Sequence, residues 1–583
     1  MKKNNNTDFN IKNVGETVEL YGWVSRKRDL GGLVFIDLRD RSGIMQLAVR
    51  PENKYYELAS SLKNEYVIKV VGKIVERESK NVNIPTGEIE VDVNELVLIN
   101  KAAETPFEIK DLVNANEDTR LKYRYLDIRR NEIKEKLVMR SKICASFRNY
   151  FNDNNFIEVE TPVLCKSTPE GARDYLVPSR TFNGRFFALP QSPQLYKQLL
   201  MVGGIERYYQ IAKCYRDEDL RADRQPEFTQ VDVEMSFVNQ DDVIAMGEGA
   251  IKKVFKDVKG IDIELPLPRM TYDEAMATYG SDKPDLRFDM KINDISDIFK
   301  NSDFMVFKSA IDEGGCVNAI VAKNASDKYS RKDIDNLTEY VKTYKAKGLA
   351  WFKLTDEGIN GSIAKVLTED NINDLTEKLS LEENDLVLIV ADSKYSIVKT
   401  SLGSLRCKLA KDLGLIKKGD YKLLWITDFP LFEYSEEEGR WMACHHPFTM
   451  PREDAIDNLF DHPEACYSVA YDIVVNGYEA GGGSIRIHNG EMQDIMFKAL
   501  GFTEERIREK FGWFVDAFKY GTPPHGGFAL GLDRWVMLLS ETDNIRDVIA
   551  FPKTASASDL MCECPNEVDN KQLEELGIKI IEK

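Results

Sequence analysis

No apolar run in this chain approaches the ~20 residues that a membrane-spanning helix needs, and the opening MKKNNNTDFN carries a basic pair with no apolar stretch behind it. Neither a membrane span nor a secretory leader is expected, and the chain reads as cytoplasmic. Paired cysteines are missing too: nine are scattered along the chain, an odd number that excludes a disulfide framework and fits a reducing compartment. Cys444-His445-His446 and Cys562-Glu563-Cys564 lack the C-x2-C spacing of structural zinc sites, so no zinc is expected. A basic balance is absent as well, since 79 Lys and Arg against 97 Asp and Glu leave a formal net charge of −18. Any nucleic-acid binding must therefore rest on local basic patches and base stacking against an unfavourable overall field.

What is present is a folded globular composition, 43% apolar and 30% charged, over 583 residues. That length implies about three or four domains. Five short strand-like runs at 18–24, 33–38, 44–49, 67–75 and 89–98, with a helical segment at 54–63 after the third, follow the order of an OB-fold barrel. Phe35 and Gln46 stand on the second and third runs, with Arg26, Lys27 and Arg28 upstream; an aromatic beside amide and guanidinium donors suits unpaired bases, while Phe35 fits a barrel core equally well.

Further along, runs at 208–215 and 228–237 flank a loop dense in charge and read as a hairpin. In the second run Thr229, Val231, Val233 and Met235 alternate with Phe228, Gln230, Asp232, Glu234 and Ser236, so period-2 geometry separates an apolar from a polar face. Arg216, ending one strand, faces Phe228 at the start of the next, a pair able to hold a phosphate and stack a base; a plain solvated hairpin is the alternative. Asp472 and Glu479 flank an Asn476-Gly477 turn, so a hairpin would gather two carboxylates suited to magnesium. Gly481, Gly482 and Gly483 either let backbone approach a ligand or form a flexible linker. His445 and His446 offer tunable charge near an anionic substrate, or one structural and one solvated ring. At 526–539 a strand runs into a helix and sets Arg534 near the helix N-terminus, which favours phosphate.

Arg216-Asp217-Glu218-Asp219 and Arg224-Gln225-Pro226-Glu227-Phe228 resemble motif 2 of class II aminoacyl-tRNA synthetases, in the form of the bacterial aspartyl type. The helix and strand leading to Pro162 are similar to motif 1, the dimer element of that family, and 526–539 is similar to motif 3. The resemblance implies an α+β multidomain protein: an N-terminal OB-fold barrel for the anticodon (1–105), a hinge (106–130), a class II antiparallel sheet with helices (131–287 and 416–583, the latter with a C-terminal extension) and an inserted α+β domain (288–415). It implies a homodimer that activates L-aspartate with ATP and Mg2+ and transfers it to its tRNA.

By the same resemblance Glu170, Gln194, Lys197, Arg216, His445 and Arg486 bind aspartate, Lys197 and Arg486 converging on its β-carboxylate. Arg216, Asp217, Glu218, Gln225, Phe228, Glu479, Gly531, Leu532, Asp533 and Arg534 bind ATP, Asp472 and Glu479 hold the metal, and Asp232 and His446 support the site. Arg28, Leu30, Phe35 and Gln46 read the anticodon, Leu30 resembling enzymes that charge the aspartate tRNA alone rather than the asparagine tRNA as well. An asparaginyl-tRNA synthetase, a non-catalytic RNA-binding paralogue and an ammonia-dependent asparagine synthetase are the rivals. Residues 191–198, the intact arginines and carboxylates, and the barrel with its long insertion speak against them in turn.

Overall fold

The computed structural model describes residues 3–168, 172–218, 220, 223–302, 304–356 and 358–581. The chain forms two compact units, Met1–Leu137 with Ala550–Thr554 and Ser558–Asn566, and Val138–Ile549 with the remaining C-terminal residues.

In the first unit, β1 (Thr17–Asp29), β2 (Val34–Arg39), β3 (Ile44–Val49), β4 (Val67–Glu76) and β5 (Ile89–Asn100) close a barrel in the order β1-β2-β3-β5-β4. Alternate residues such as Val18, Leu20, Ile68, Val70 and Ile74 fill its interior, as strand pleating requires. The short helix Tyr56–Ser61 lies between β3 and β4, where the sequence placed one. β1 runs past the expected end at 24 through a register shift between Val24 and Arg26, so Arg26, Lys27 and Arg28 are strand residues paired with β2.

The second unit is built on an eight-stranded sheet of β6 (Ile157–Glu158), β7 (Arg207–Tyr215), β8 (Glu227–Ser236), β9 (Arg269–Thr271), β10 (Leu423–Thr427), β11 (Ala470–Val475), β12 (Tyr478–Ile485) and β13 (His525–Gly531). The order is β9-β10-β11-β12-β13-β8-β7-β6, antiparallel except for the two edge pairs. One face packs Val231, Val233 and Met235 of β8 against Val243, Val254 and Phe255 of the helix Gln240–Lys259 and against Trp535 of the helix Leu532–Leu539. The first of these helices is bounded by an Asn239/Asp242 capping box and by Gly260 at φ 71°, a left-handed stop suited to glycine. The opposite face of β8 carries Phe228, Asp232 and Glu234, as the period-2 pattern predicts.

Between β9 and β10 the chain builds a separate five-stranded sheet, ordered Asn293–Asp294, Cys316–Ala322, Leu386–Asp392, Ala350–Thr355, Gly358–Gly361. Apolar clusters cover both of its faces, which is why the strands Cys316–Ala322 and Leu386–Asp392 are nearly continuous apolar runs.

Candidate active site

β8 and the helix Gln194–Val202 frame a buried cluster of charge. Lys197, 1% exposed, places Nζ 2.7 Å from Asp232 Oδ1, 3.2 Å from Glu234 Oε2 and 3.3 Å from the Val233 carbonyl. Arg486, equally buried, grips Glu234 with Nε and Nη2 at 3.0 and 3.1 Å, while Nη1 donates to Ser484 Oγ and His446 Nε2 at 2.7 and 2.9 Å. Two cations thus meet two carboxylates out of water, an arrangement that holds only when every charge is paired. Burial would raise the Glu234 pKa, but Arg486 and Lys197 outweigh it and hold the carboxyl below its ordinary range. Burial dominates at Asp232 and raises its pKa, consistent with an Oδ2 that has no hydrogen-bond partner among the described residues. Burial first, then Arg486 and His445, drives the His446 pKa far down, so this ring is neutral.

The cluster adds a residue to one expectation. Lys197 and Arg486 do converge, and both are held by Glu234 of the same chain, because an unpaired buried charge costs too much. Glu234 was visible as a polar-face residue two positions from Asp232; its bridging role came only with the fold. Gln194 is placed differently: its buried Nε2 has no partner among the described residues, a donor free for a ligand.

The hairpin of β7 and β8 holds the nucleotide candidates. The Arg216 guanidinium lies 5.1 Å over the Phe228 ring. The main chain of Asp217 bonds the Arg173 carbonyl at 3.0 Å, and Glu218 accepts from Arg224 at 3.1 Å. Gln225 is buried, its Nε2 3.3 Å from the Arg224 carbonyl. At the start of the helix Leu532–Leu539, capped by Gly531, Arg534 donates to the Glu479 carbonyl and pairs with Asp223 at 3.1 Å. Leu532 and Asp533, expected beside ATP, have side chains turned inward: Leu532 joins the apolar core, and Asp533 accepts the Thr229 N–H at 2.7 Å and an ion pair from Arg140. Both side chains thus hold the strand-to-helix passage in place.

Asp472 of β11 stands opposite Gly482, and Glu479 follows the Asn476-Gly477 turn, whose φ values of 54° and 84° suit that residue pair. Glu479 opens to solvent, yet its pKa is raised, first by crowding that strips hydration and then by the charge of Asp472. His445 Nε2 lies 3.7 Å from Asp472 Oδ1; burial opposes its charge, but bonds to Asp472 and Cys444 prevail and raise its pKa to about 10. The glycine triplet meets neighbouring protein: a side chain at Gly482 would strike the Asp472 carboxylate, and one at Gly483 the Gly527 backbone of β13. This replaces the linker alternative. Glu170 lies outside the described residues.

In the barrel, Arg28 reaches Gln46 Oε1 and Asp37 Oδ1 at 3.0 and 3.1 Å and lies 5.8 Å from the Phe35 ring. Gln46 in turn donates to Glu90 at 2.6 Å. Three of the four expected base-reading residues thus meet on one barrel face, joined by Asp37 and Glu90, which the sequence did not single out. Leu30, 64% exposed, sits apart in the β1–β2 connection.

Residues 116–555 match the family of tRNA synthetases class II (D, K and N), and residues 18–99 match the OB-fold nucleic acid binding domain. The chain is 57% identical to an aspartate–tRNA ligase of Macrococcus caseolyticus over 571 residues, 97% of this chain and 96% of the relative. It is 56% identical to an aspartate–tRNA(Asp/Asn) ligase of Anoxybacillus flavithermus, again over 97% and 96%. The solved asparaginyl-tRNA synthetase of Pyrococcus horikoshii in complex with asparaginyl-adenylate shares its fold at a TM-score of 0.57 and 19% identity, over 93% of this chain and 96% of that one.

Proposed function

The chain belongs to the class II tRNA synthetases of the D, K and N group, and from that membership we propose that it activates L-aspartate with ATP and transfers it to the 3′ end of its tRNA. The observation that carries aspartate as the substrate is the buried Lys197–Arg486 pair on the sheet face that also bears Phe228. A β-carboxylate entering this cluster would take the N–H groups now given to neutral acceptors, the Val233 carbonyl, Ser484 and His446. Exchanging a neutral acceptor for an anion is favourable, whereas displacing Glu234 is not. The carboxamide of asparagine gains nothing comparable, which is the basis of selection.

In the first step an α-carboxylate oxygen of aspartate attacks the α-phosphorus of ATP and pyrophosphate leaves. In the second, a hydroxyl of the terminal tRNA adenosine attacks the activated carbonyl and AMP leaves. No residue acts as a nucleophile. Arg216 is assigned to the α-phosphate, Phe228 to stacking on adenine, Glu218 to the adenine edge and Arg534 to the γ-phosphate, each aligning groups for in-line displacement and countering developing charge. Gln194 offers its unpaired N–H to the amino acid. The carboxylates of Asp472 and Glu479, brought together by the hairpin of β11 and β12, fit a hard divalent cation. They would hold Mg2+, which supplies charge neutralisation to the phosphates when bound.

The barrel face of Arg28, Phe35 and Gln46 is assigned to the anticodon, by stacking and edge recognition. A homodimer is supported by apolar side chains left exposed at Ile157, Leu164, Leu176, Phe182 and Phe186 in and after the motif 1 strand. No helix among the described residues is long and apolar enough to cross a membrane, in keeping with a cytoplasmic enzyme.

The test is aspartate-dependent charging of purified aspartate and asparagine tRNAs side by side. Charging of the first alone is expected; charging of both would keep the chemistry and remove the significance given to Leu30, and charging of neither would overturn the function. Arg486→Leu is expected to lower aspartate-dependent pyrophosphate exchange by about a hundredfold or more with little change in ATP affinity; a loss of only a few-fold would refute the role of Arg486.

A further inference from the structure

Gln198 and His525 have no part in the chemistry above, yet both are wholly buried between the elements that deliver the two cations. Gln198 follows Lys197 on the helix Gln194–Val202, and His525 opens β13 opposite Ser236 of β8. The main-chain carbonyl of His525 accepts the amide N–H of Arg486 at 3.0 Å. Its ring Nδ1 lies 2.8 Å from the Pro523 carbonyl, and its Nε2 lies 3.0 Å from Oε1 of the Gln198 amide.

A carbonyl oxygen only accepts, so Nδ1 carries the ring proton. Burial lowers the pKa of His525, in keeping with a neutral ring that has a single proton to give. Nε2 is then an acceptor, satisfied when the Gln198 amide turns its NH2 toward it, a half-turn about the last torsion that gives up the long 3.5 Å bond from this nitrogen to the Gln194 carbonyl. Every polar atom of the ring is used, and none is offered to substrate.

We propose that Gln198 and His525 form a strut that sets the spacing of Lys197 and Arg486, making both positioning residues for the side-chain carboxylate of the amino acid; this rests on the function proposed above. Lys197 and Arg486 lie on a helix and after a strand nearly 300 residues apart in the chain. Among the described residues the Lys197 ammonium bonds only to β8 acceptors, while the backbone of Arg486 hangs from His525. The Gln198–His525 contact joins the helix of one cation directly to the support of the other. Loosening it shifts the cations relative to each other and leaves the Arg216–Phe228 pair, on the far end of the hairpin, in place.

The test is ATP–pyrophosphate exchange by the full-length protein, with aspartate and ATP varied separately, in His525→Asn, His525→Gln and Gln198→Met. Asparagine retains a donor where Nδ1 stands and gives up Gln198; glutamine reaches the Nε2 position and keeps it. His525→Asn and Gln198→Met are expected to raise the aspartate KM about tenfold or more with the ATP KM within about twofold, and His525→Gln to stay within about threefold of the parent in both. The double variant His525→Asn/Gln198→Met should be no worse than the poorer single one, since both break one contact. An aspartate KM within about threefold of the parent in His525→Asn and Gln198→Met, an equal rise for ATP, or His525→Gln as impaired as His525→Asn overturns the strut. If thermal unfolding shows that a His525 variant fails to fold, Gln198→Met decides. If the parent exchanges with a different amino acid, the proposed function fails, and the strut is scored on the KM of that amino acid.

Discussion

Arg486 and Lys197 share one carboxylate, Glu234, and that sharing makes Glu234 as important as either cation. Glu234→Gln removes one charge from a dry, four-charge cluster and leaves two cations facing Asp232 alone. A loss of about 3–5 kcal/mol is expected, the cost of breaking a buried pair from one side, read as a lower urea midpoint. His446 and His525 give the site a pH dependence: both have lowered pKa values in the folded chain and so take up their protons only on unfolding. The unfolded state therefore binds more protons below about pH 6.5, and stability falls as pH drops through that value, by up to about 1.4 kcal/mol per pH unit for each ring. In urea titrations from pH 7.5 to 5.5, His446→Asn should reduce the slope by about one proton; an unchanged slope would show that the ring does not titrate this way. At this scale residue types and their order were legible in the sequence: Lys197, Arg486, Asp232 and His446 were picked out as functional. Their partners were not, because a side-chain hydrogen bond between residues hundreds of positions apart leaves no local pattern.

The hairpin of β7 and β8 and the strand-to-helix passage at Gly531 were foreseen as elements, since period-2 alternation and turn residues act over a few positions. What holds them together was not. Asp533 bonds the Thr229 N–H and pairs with Arg140, tying the nucleotide hairpin to motif 3 and to the long helix Asn131–Asp153. Asp533→Ala takes the acceptor from the buried Thr229 amide and one partner from the half-buried Arg140, which keeps Thr229 Oγ1, and is expected to cost about 2 kcal/mol. Pyrophosphate exchange should fall about tenfold as the hairpin loses register, and exchange at the parent rate would assign Asp533 to stability alone. The glycine triplet teaches a related lesson: its composition suggested a linker or a ligand cradle, while the sheet shows glycines admitting Asp472 and the neighbouring strand.

For the whole molecule, the charged cluster lies in one unit and the Arg28–Phe35–Gln46 face in the other, so the proposed function assigns amino acid activation and tRNA recognition to different units. Phe35→Ala should therefore lower tRNA charging by about tenfold, the loss of one stacked base, and leave aspartate-dependent pyrophosphate exchange in the absence of tRNA unchanged. A parallel drop in exchange would show that the two functions do not separate this way. With a net charge of −18, salt should weaken tRNA binding only as far as local basic contacts reach, since the slope follows the number of phosphates those contacts neutralise. The sequence by itself determined the elements, the barrel order and the family, because strand periodicity, turn residues and motif spacing are local and leave their mark in the chain. Only the tertiary structure decided that Lys197 and Arg486 are paired by Glu234, that Asp533 turns inward and that the glycines face protein, since burial makes an unpaired charge costly and the fold alone determines which distant residue supplies its partner.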